Sequence, residues 1–245
     1  TQTIFQTTGR MGPRWKGKDC EMKALADPMS DIVSHLQRCF GESNAQGRLT
    51  GCNVILAVGA DVAELLGRAC FGHPVVNCEK DKLWFQLGLE EALYLCFDLG
   101  CLKIVGQDGC VKTDKEVWQY ALLVKSELPC LYKGYSHLRK KNWVVRPGSQ
   151  YGVDFVAYRH HPSLVHSEYA VLVLSEGEGD DENGRLRVWS DVHCTTRLCG
   201  SVAKTLLVLY INKNGHGAAS PSSLESYLVE ERTITRWSAE QNREE

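Results

Sequence analysis

The chain has 245 residues, of which 28 are Lys or Arg and 30 are Asp or Glu, so its formal charge at pH 7 is −2. Hydrophobic residues make up 43% of the chain and charged residues 24%, which excludes a disordered chain and a polycationic tail protein. The length suffices for one large domain or two small ones with a buried core. Nucleic acid binding is not excluded, because a near-neutral total can hide a polarised surface.

Eleven cysteines are spread along the chain, but their number is odd and no C-x-x-C spacing occurs. We therefore expect buried reduced thiols in a cytosolic or nuclear protein, in preference to a zinc site or a disulfide framework. The longest apolar runs have the length of a strand, so no membrane span is expected.

The chain opens with polar residues that precede Met11, which we interpret as the natural start. Residues 1–10 are therefore expected to be upstream sequence, and residues 1–20 to form a flexible segment. Residues 14–18, with the sequence RWKGK, form a short basic arm, for which a frayed terminus is the simplest interpretation.

Hydrophobic periodicity predicts alternating helices and strands in the first half of the chain. Helices are predicted over 27–40, 61–69 and 87–99, and strands over 51–58 and 103–105. No catalytic group of residues stands out there. We expect residues 21–112 to form a small N-terminal α/β domain.

Turn and capping signals follow in the middle of the chain. The Asp-Gly pair at 108–109 marks a turn, and the sequence TDKE at 113–116 is a capping box that opens a helix to about Lys125. Pro129 is expected to end this helix. We place the domain boundary here, with residues 113–130 as a connecting helix.

The second half is predicted to form a mixed sheet with flanking helices over residues 131–238, followed by a polar tail at 239–245. Ser190 or Asp191 is expected to cap a helix that runs to about Lys204, and the acidic run 176–182 is expected to be a solvated hairpin loop. The remaining elements are a helix at 132–141, an extended stretch at 143–146, a turn at 147–148, and strands at 153–158, 169–174, 186–189, 206–211 and 227–235.

Charge is segregated within residues 131–166, where six Lys or Arg residues oppose one Asp and the net charge is +5. Cations that neutralise phosphates, interleaved with aromatic faces on which bases stack, are typical of single-stranded RNA binding. A solvated basic helix beside a strand with core aromatics gives the same pattern, so both interpretations stay open. The aromatic residues are Tyr132, Tyr135, Trp143, Tyr151, Phe155 and Tyr158.

The stretch 151–169, YGVDFVAYRHHPSLVHSEY, resembles the signature of the catalytic subunits of tRNA-splicing endonucleases. In that family a Gly-x-Asp-Phe strand ends in a Tyr, a Pro-containing loop follows, and a His precedes the next strand. Residues 197–204, RLCGSVAK, are similar to the family's helix that ends in a catalytic Lys. The order Tyr158, His166, Lys204 and the eight-residue step from Tyr to His match. The spacing of 38 residues from His166 to Lys204 is longer than in compact members of the family, and the acidic loop accounts for the extra residues.

The resemblance is strong over residues 131–237 and weaker over the first unit. It implies an α/β (α+β) fold and metal-independent RNA cleavage without a cofactor, in which the ribose 2′-hydroxyl attacks phosphorus and leaves a 2′,3′-cyclic phosphate and a 5′-hydroxyl. It assigns the base to Tyr158, the acid to His166 and electrostatic stabilisation to Lys204. A phenol of pKa about 10 is a poor base unless a neighbouring cation favours phenolate, and Lys204 is the candidate for that cation.

Two further residues are implied to bind RNA. Arg197 and Trp237 match the Arg and the aromatic residue that clamp a bulged base in the family, although Trp237 is equally suited to plug the last strand. Tyr151, Asp154 and Phe155 are interpreted as structural residues that position Tyr158. His160 and His161 directly precede Pro162 in a loop and are interpreted as loop or RNA-proximal residues.

The resemblance also implies partners and a place of action. The implied partners are precursor tRNA and, in a heterotetramer, a second catalytic subunit and two structural subunits. The implied place of action is the nucleus. The segment 227–237 is most similar to the subunit that cuts the 5′ splice site. The sister subunit acting at the 3′ site and a non-catalytic RNA-binding or scaffold subunit of the same complex remain alternatives.

Overall fold

The computed structural model describes residues 12–75, 83–176, 188–201, 204–215 and 217–234. Residues 1–10, Trp237 and the tail at 239–245 lie outside these residues, as does all of the acidic run 176–182 except Glu176. None of the described helices is long and apolar enough to cross a membrane.

The first half of the chain alternates helices and short strands. In chain order these are α1 (Cys20–Ala26), α2 (Met29–Ser43), β1 (Gln46–Thr50), β2 (Asn53–Val58), α3 (Ala60–Ala69), β3 (His73–Val75), β4 (Leu83–Gly88), α4 (Leu89–Leu93), a π-helical turn (Tyr94–Asp98), β5 (Lys103–Val105) and α5 (Asp114–Val124).

The second half contains longer strands and three-residue to six-residue 3-10 turns. It comprises α6 (Leu128–Lys140), β6 (Val144–Pro147), a turn (Ser149–Tyr151), β7 (Phe155–Tyr158), β8 (Tyr169–Glu176), α7 (Trp189–Ser201), β9 (Thr205–Asn212), a turn (Pro221–Ser226) and β10 (Leu228–Ile234).

Within the described ranges the strands form two five-stranded sheets. The first has the order β3-β4-β2-β1-β5, in which only β1 and β5 are parallel. The second has the order β10-β9-β8-β7-β6, in which only β8 and β9 are parallel. Two mixed sheets with helices confirm the predicted fold class.

Helices cover both faces of the second sheet. On one face α6 approaches closely at Gly134, where a Cβ atom would lie 3.0 Å from Val173 Cγ2 and 3.3 Å from Leu209 Cδ1. On the other face Cys199 of α7 is buried with Val156 and other strand residues. Because both faces are covered, these strands are almost continuously apolar, and that is why their positions were predictable.

Arg139 of α6 joins the two halves of the molecule. Its side chain is buried, and its guanidinium donates to the carbonyls of Cys70 at 2.8 Å and Ala69 at 3.3 Å, at the end of α3. It also donates to the Tyr135 hydroxyl at 3.0 Å and lies 4.1 Å from the centroid of the Phe71 ring. The cation therefore compensates carbonyls that the helix end leaves without intrahelical partners.

Some predicted elements differ from the structure. Pro129 does not end a helix but lies in the first turn of α6, where its missing N–H costs nothing. Trp189 begins α7 and is not the end of a strand, while residues 186–187 lie outside the described part of the chain. Residues 87–88 end β4 and do not begin the next helix. Helix α1 and strands β1, β3 and β4 were missed.

Candidate active site

One end of the second sheet carries Tyr158, His166 and Lys204. Tyr158 is the last residue of β7, His166 lies three residues before β8, and Lys204 directly precedes β9. Since β7 runs antiparallel to β8 and β8 runs parallel to β9, the end of β7 and the starts of β8 and β9 lie at the same edge. The topology therefore brings the three residues together; their chemical roles stay predictions.

Glu168 lies between two of these residues. Its N–H donates to the Ala157 carbonyl at 3.0 Å, and its own carbonyl accepts from the Thr205 N–H at 2.9 Å. These bonds continue the strand registers by one residue, so Tyr158 and Lys204 flank Glu168 on neighbouring strands. Side chains at the same register level of adjacent strands share a face of the sheet.

The phenol of Tyr158 is half-buried, and burial raises its pKa above the ordinary value. A hydrogen bond with the Ser167 side chain and the charge of Arg146 lower the pKa but do not offset the burial. Arg146 of β6 pairs with Val156 and so lies diagonally across from Tyr158 on the same face. At neutral pH the side chain is therefore mainly a neutral phenol.

The ammonium of Lys204 lies over a different tyrosine. Its Nζ is 4.3 Å from the centroid of the Tyr151 ring, and its backbone N–H donates to the Cys199 carbonyl at 2.9 Å. Burial lowers the pKa of Lys204, and so does the charge of Arg14. Arg146 is a cation that lowers the pKa of Tyr158, whereas Lys204 contacts Tyr151, so the expected effect of Lys204 on Tyr158 stays a prediction.

His166 is exposed in the loop between β7 and β8. Its backbone N–H donates to the carbonyl of Arg14 at 3.0 Å. Arg159 anchors the start of this loop, because its guanidinium binds the Glu168 carboxylate at 3.0 Å and lies 4.0 Å from the centroid of the Trp143 ring. The loop backbone that carries the exposed imidazole is therefore fixed by several contacts.

The two adjacent histidines of this loop bind other parts of the protein. His160 is buried, with Nε2 2.9 Å from the carbonyl of Asp27. The Nδ1 atom of His161 is 2.6 Å from the hydroxyl of Ser163. Both contacts fit the interpretation of these histidines as loop residues.

Only one of the two residues predicted to clamp a base is described. Arg197 is exposed on α7, whereas Trp237 lies outside the described residues. The sequence predicted a helix that runs to about Lys204, whereas α7 ends at Ser201. The geometry of a clamp at this position stays a prediction.

Much of the basic segment 131–166 is engaged within the protein, so its charge and aromatic content do not by themselves distinguish the two interpretations left open above. Tyr132, Tyr135 and Phe155 are buried core residues. The cations bind the protein itself, in the pairs Lys133–Leu224 O at 2.6 Å, Arg139–Cys70 O at 2.8 Å, Lys140–Asp98 at 2.6 Å, Lys141–Glu231 at 2.8 Å, Arg146–Gly72 O at 2.7 Å and Arg159–Glu168 at 3.0 Å.

The predicted positioning residues have distinct contacts. The Asp154 carboxylate accepts a hydrogen bond from the Val173 N–H at 2.9 Å, and the Phe155 ring packs on Tyr135, so both are structural as expected. Tyr151 was interpreted as structural only, but its ring contacts Lys204. In the part of the chain that is described, no cluster of three or more His, Cys, Asp or Glu residues is arranged to hold a metal ion.

Comparison with known proteins gives these observations a family. Residues 129–217 match the catalytic C-terminal domain of tRNA intron endonucleases, and residues 45–118 match the N-terminal domain of the same enzymes. The first match includes Tyr158, His166 and Lys204.

Curated relatives agree with these matches. The chain is 54% identical to the tRNA-splicing endonuclease subunit Sen2-2 of Arabidopsis thaliana, over 96% of this chain and 93% of the relative. It is 50% identical to the probable subunit Sen2 of Oryza sativa subsp. japonica, over 96% of this chain and 83% of the relative. The chain is 31% identical to the tRNA-splicing endonuclease subunit Sen2 of Mus musculus, over 65% of this chain and 36% of the relative. The chain therefore belongs to the tRNA intron endonuclease family, and among its members it is similar to the Sen2 subunits.

Proposed function

We propose that this chain is a catalytic subunit of a tRNA-splicing endonuclease that cuts precursor tRNA at the 5′ boundary of an intron. The observation that carries the proposal is the meeting of Tyr158, His166 and Lys204 at one end of β7, β8 and β9. A phenol, an imidazole and an ammonium at one edge supply a proton acceptor, a proton donor and a cation. RNA cleavage by its own 2′-hydroxyl needs these three functions.

In the proposed reaction the ribose 2′-oxygen attacks the adjacent phosphorus, and the bond from phosphorus to the 5′-oxygen breaks. Tyr158 takes the proton of the 2′-hydroxyl, and His166 gives a proton to the departing 5′-oxygen. The cation of Lys204 stabilises the charge that grows on the phosphate oxygens. The products are a 2′,3′-cyclic phosphate and a 5′-hydroxyl, and no metal ion or cofactor takes part.

The state of Tyr158 sets a condition on this chemistry. Because burial raises its pKa, the base is present as a minor phenolate population at neutral pH. The hydrogen bond with Ser167 and the charge of Arg146 both favour phenolate and keep that population from being smaller. Base catalysis is therefore expected to depend on these two neighbours.

Substrate positioning and assembly complete the proposal. Arg197, exposed on α7, clamps a bulged base together with Trp237. The subunit works in the nucleus, in a heterotetramer with a second catalytic subunit and two structural subunits. Retention of the three residues favours catalysis over a scaffold role, whereas the choice of the 5′ over the 3′ splice site rests on the resemblance of segment 227–237 to the subunit that cuts the 5′ site.

The proposal is tested by His166→Ala in the reconstituted complex, with His35→Ala as the control because His35 is also exposed but lies on α2. We expect the first variant to lose one of the two cuts while it retains RNA binding, and the second to cut normally. Cleavage by wild type should persist in excess chelator. Normal cutting by His166→Ala contradicts the catalytic assignment, and loss of the 3′ cut alone reassigns the subunit to that site.

A further inference from the structure

The basic arm, residues 14–18, is paired with the loop that carries His166. The Lys16 N–H donates to the Leu164 carbonyl at 2.9 Å, and the His166 N–H donates to the Arg14 carbonyl at 3.0 Å. Trp15 lies opposite Val165 in an antiparallel bridge between these two bonds. The expectation of a frayed terminus is therefore wrong for residues 14–16, which form an isolated antiparallel β-bridge with the loop.

The register of this bridge determines where the side chains of the arm lie. Directly opposed residues of an antiparallel pair share a face, with Cβ atoms about 5 Å apart. Trp15 is half-buried and faces the buried Val165, so it lies on the protein side. Arg14 is opposite His166 on the other side, and both side chains are exposed.

Lys16 is opposite Leu164 at the other end of this bridge. Its side chain is also exposed. The arm therefore places Arg14 beside His166 and a second exposed cation two residues further along, at the edge of the sheet where Tyr158 and Lys204 meet.

Electrostatics connect the arm to the rest of the site. The positive charge of Arg14 acts on Lys204. Burial lowers the pKa of Lys204, and the charge of Arg14 lowers it further. Two neighbouring cations that repel each other are stabilised by an anion between them. A phosphodiester has that charge, and arginine binds its oxygens in a bidentate manner.

We propose that the basic arm is a phosphate-binding element of the cleavage site, in which Arg14 and Lys16 bind RNA backbone phosphates on the His166 side of the scissile bond. The main chain of the arm holds the loop of His166 in place. This inference rests on the proposed function, since it takes RNA as the substrate of the site. It adds a segment outside both matched domains to the RNA-binding surface.

Binding is measured on the assembled complex with precursor tRNA that carries a 2′-deoxyribose at the cut, because this substrate lacks the nucleophile. In the double variant Arg14→Gln and Lys16→Gln, we expect the Kd to rise about tenfold. The slope of log Kd against log salt concentration should fall by about 1.4, which is about 0.7 for each lost phosphate contact. The control Lys103→Gln removes an exposed charge on β5, the edge of the first sheet farthest from β3. A double variant with the affinity and salt slope of Lys103→Gln overturns the inference.

Cleavage kinetics separate the two parts of the arm. Arg14→Gln and Lys16→Gln keep every main-chain hydrogen bond and are expected to raise KM. Lys16→Pro removes the N–H that binds the Leu164 carbonyl, and we expect kcat to fall about tenfold because the His166 loop loosens. A Pro variant with wild-type kcat overturns the bracing role, and Gln variants with wild-type KM overturn phosphate binding.

The outcome also distinguishes this inference from the proposed function. If the wild-type complex does not cleave precursor tRNA, or cleaves the 2′-deoxy substrate, the proposed function fails and the arm inference falls with it. If wild type cleaves as proposed and the arm variants match it in Kd, salt slope and kinetics, only the arm inference fails.

Discussion

The ammonium of Lys204 lies 4.3 Å from the centroid of the Tyr151 ring, so the tyrosine holds the cation at the end of the sheet by a cation–π contact. Tyr151→Leu removes the ring and is expected to lower kcat about tenfold. Tyr151→Phe keeps the ring face and should stay within about twofold of wild type. Single-turnover cleavage of precursor tRNA measures both variants, and equal rates for Leu and Phe would mean that the contact does not position Lys204.

The raised pKa of Tyr158 predicts a particular pH dependence of cleavage. A base of high pKa loses its proton only in the alkaline range, so the limb of the pH–rate profile that reports this ionisation should lie at high pH. A ring-fluorinated tyrosine at position 158 has a more acidic phenol with nearly the same shape. We expect it to move that limb to lower pH, with the same fluorinated residue at Tyr120 as the control.

Tyr120 is suited to this control because it lies on α5, outside the described site, and its hydroxyl donates to the Gly51 carbonyl at 3.0 Å. A profile that does not change when position 158 is fluorinated would contradict Tyr158 as the base. It would leave the phenol with a role in orienting the ribose only.

Arg139 is predicted to be a main determinant of stability. Arg139→Met leaves the carbonyls of Ala69 and Cys70 without their donors in a buried place, so the free energy of unfolding should fall by about 3 kcal/mol. Urea unfolding of the purified chain measures this change. Arg38→Met, at an exposed position of α2, should change it by less than about 0.5 kcal/mol. Similar losses in both variants would refute the role of Arg139.

Glu231 of β10 is predicted to contribute stability that depends on pH. Hydrogen bonds with His137 and Lys141 lower the pKa of this carboxyl to about 2 from an ordinary value of 4.5. A carboxyl with a lowered pKa stabilises the fold above its ordinary pKa, and this contribution is lost as pH falls from 4.5 towards 2. Glu231→Gln should therefore be less stable than wild type at neutral pH, and its stability should fall less on acidification.

Urea midpoints measured between pH 7 and pH 2 test this expectation, with Glu42→Gln at an exposed position of α2 as the control. The lowest pH follows from the lowered pKa of Glu231. If wild type and Glu231→Gln lose stability in parallel over this range, the carboxyl does not have the predicted pKa in the folded state.

Local signals in the sequence predicted most of the helices and the central strands. The capping box at Thr113 and Glu116 opens α5 as expected, and the Thr113 hydroxyl accepts from the Glu116 N–H at 3.3 Å. The strand at Lys103–Val105 has the predicted bounds. These elements were predictable because capping and burial on both faces leave patterns within a few residues.

The missed elements depend on pairing between distant residues. Strand β1 contains Gln46, Gly47 and Arg48, which have low strand propensity, and it forms because it lies between β2 and β5. Segment 14–16 likewise pairs with a loop far along the chain, at 164–166. A sequence window around either segment does not contain the partner, so its pattern indicates a loop.

The site was predicted by residue identity but not by its electrostatics. The resemblance selected Tyr158, His166 and Lys204, which the topology brings together. It did not predict that Lys204 faces Tyr151, or that Arg146 acts on Tyr158, since these relations depend on side-chain direction and burial. The charge of segment 131–166 was a weak signal for the same reason, because its cations bind partners elsewhere in the chain.

The central claim is that this chain cuts precursor tRNA by attack of the ribose 2′-hydroxyl, and end-group analysis of the cleaved precursor tests it most directly. The complex is assembled with the wild-type chain and, in parallel, with Tyr158→Phe. We predict a 2′,3′-cyclic phosphate and a 5′-hydroxyl at the 5′ exon–intron boundary with wild type, and loss of that cut alone with the variant. A 3′-hydroxyl product from wild type, or an unchanged pair of cuts from Tyr158→Phe, would contradict the account.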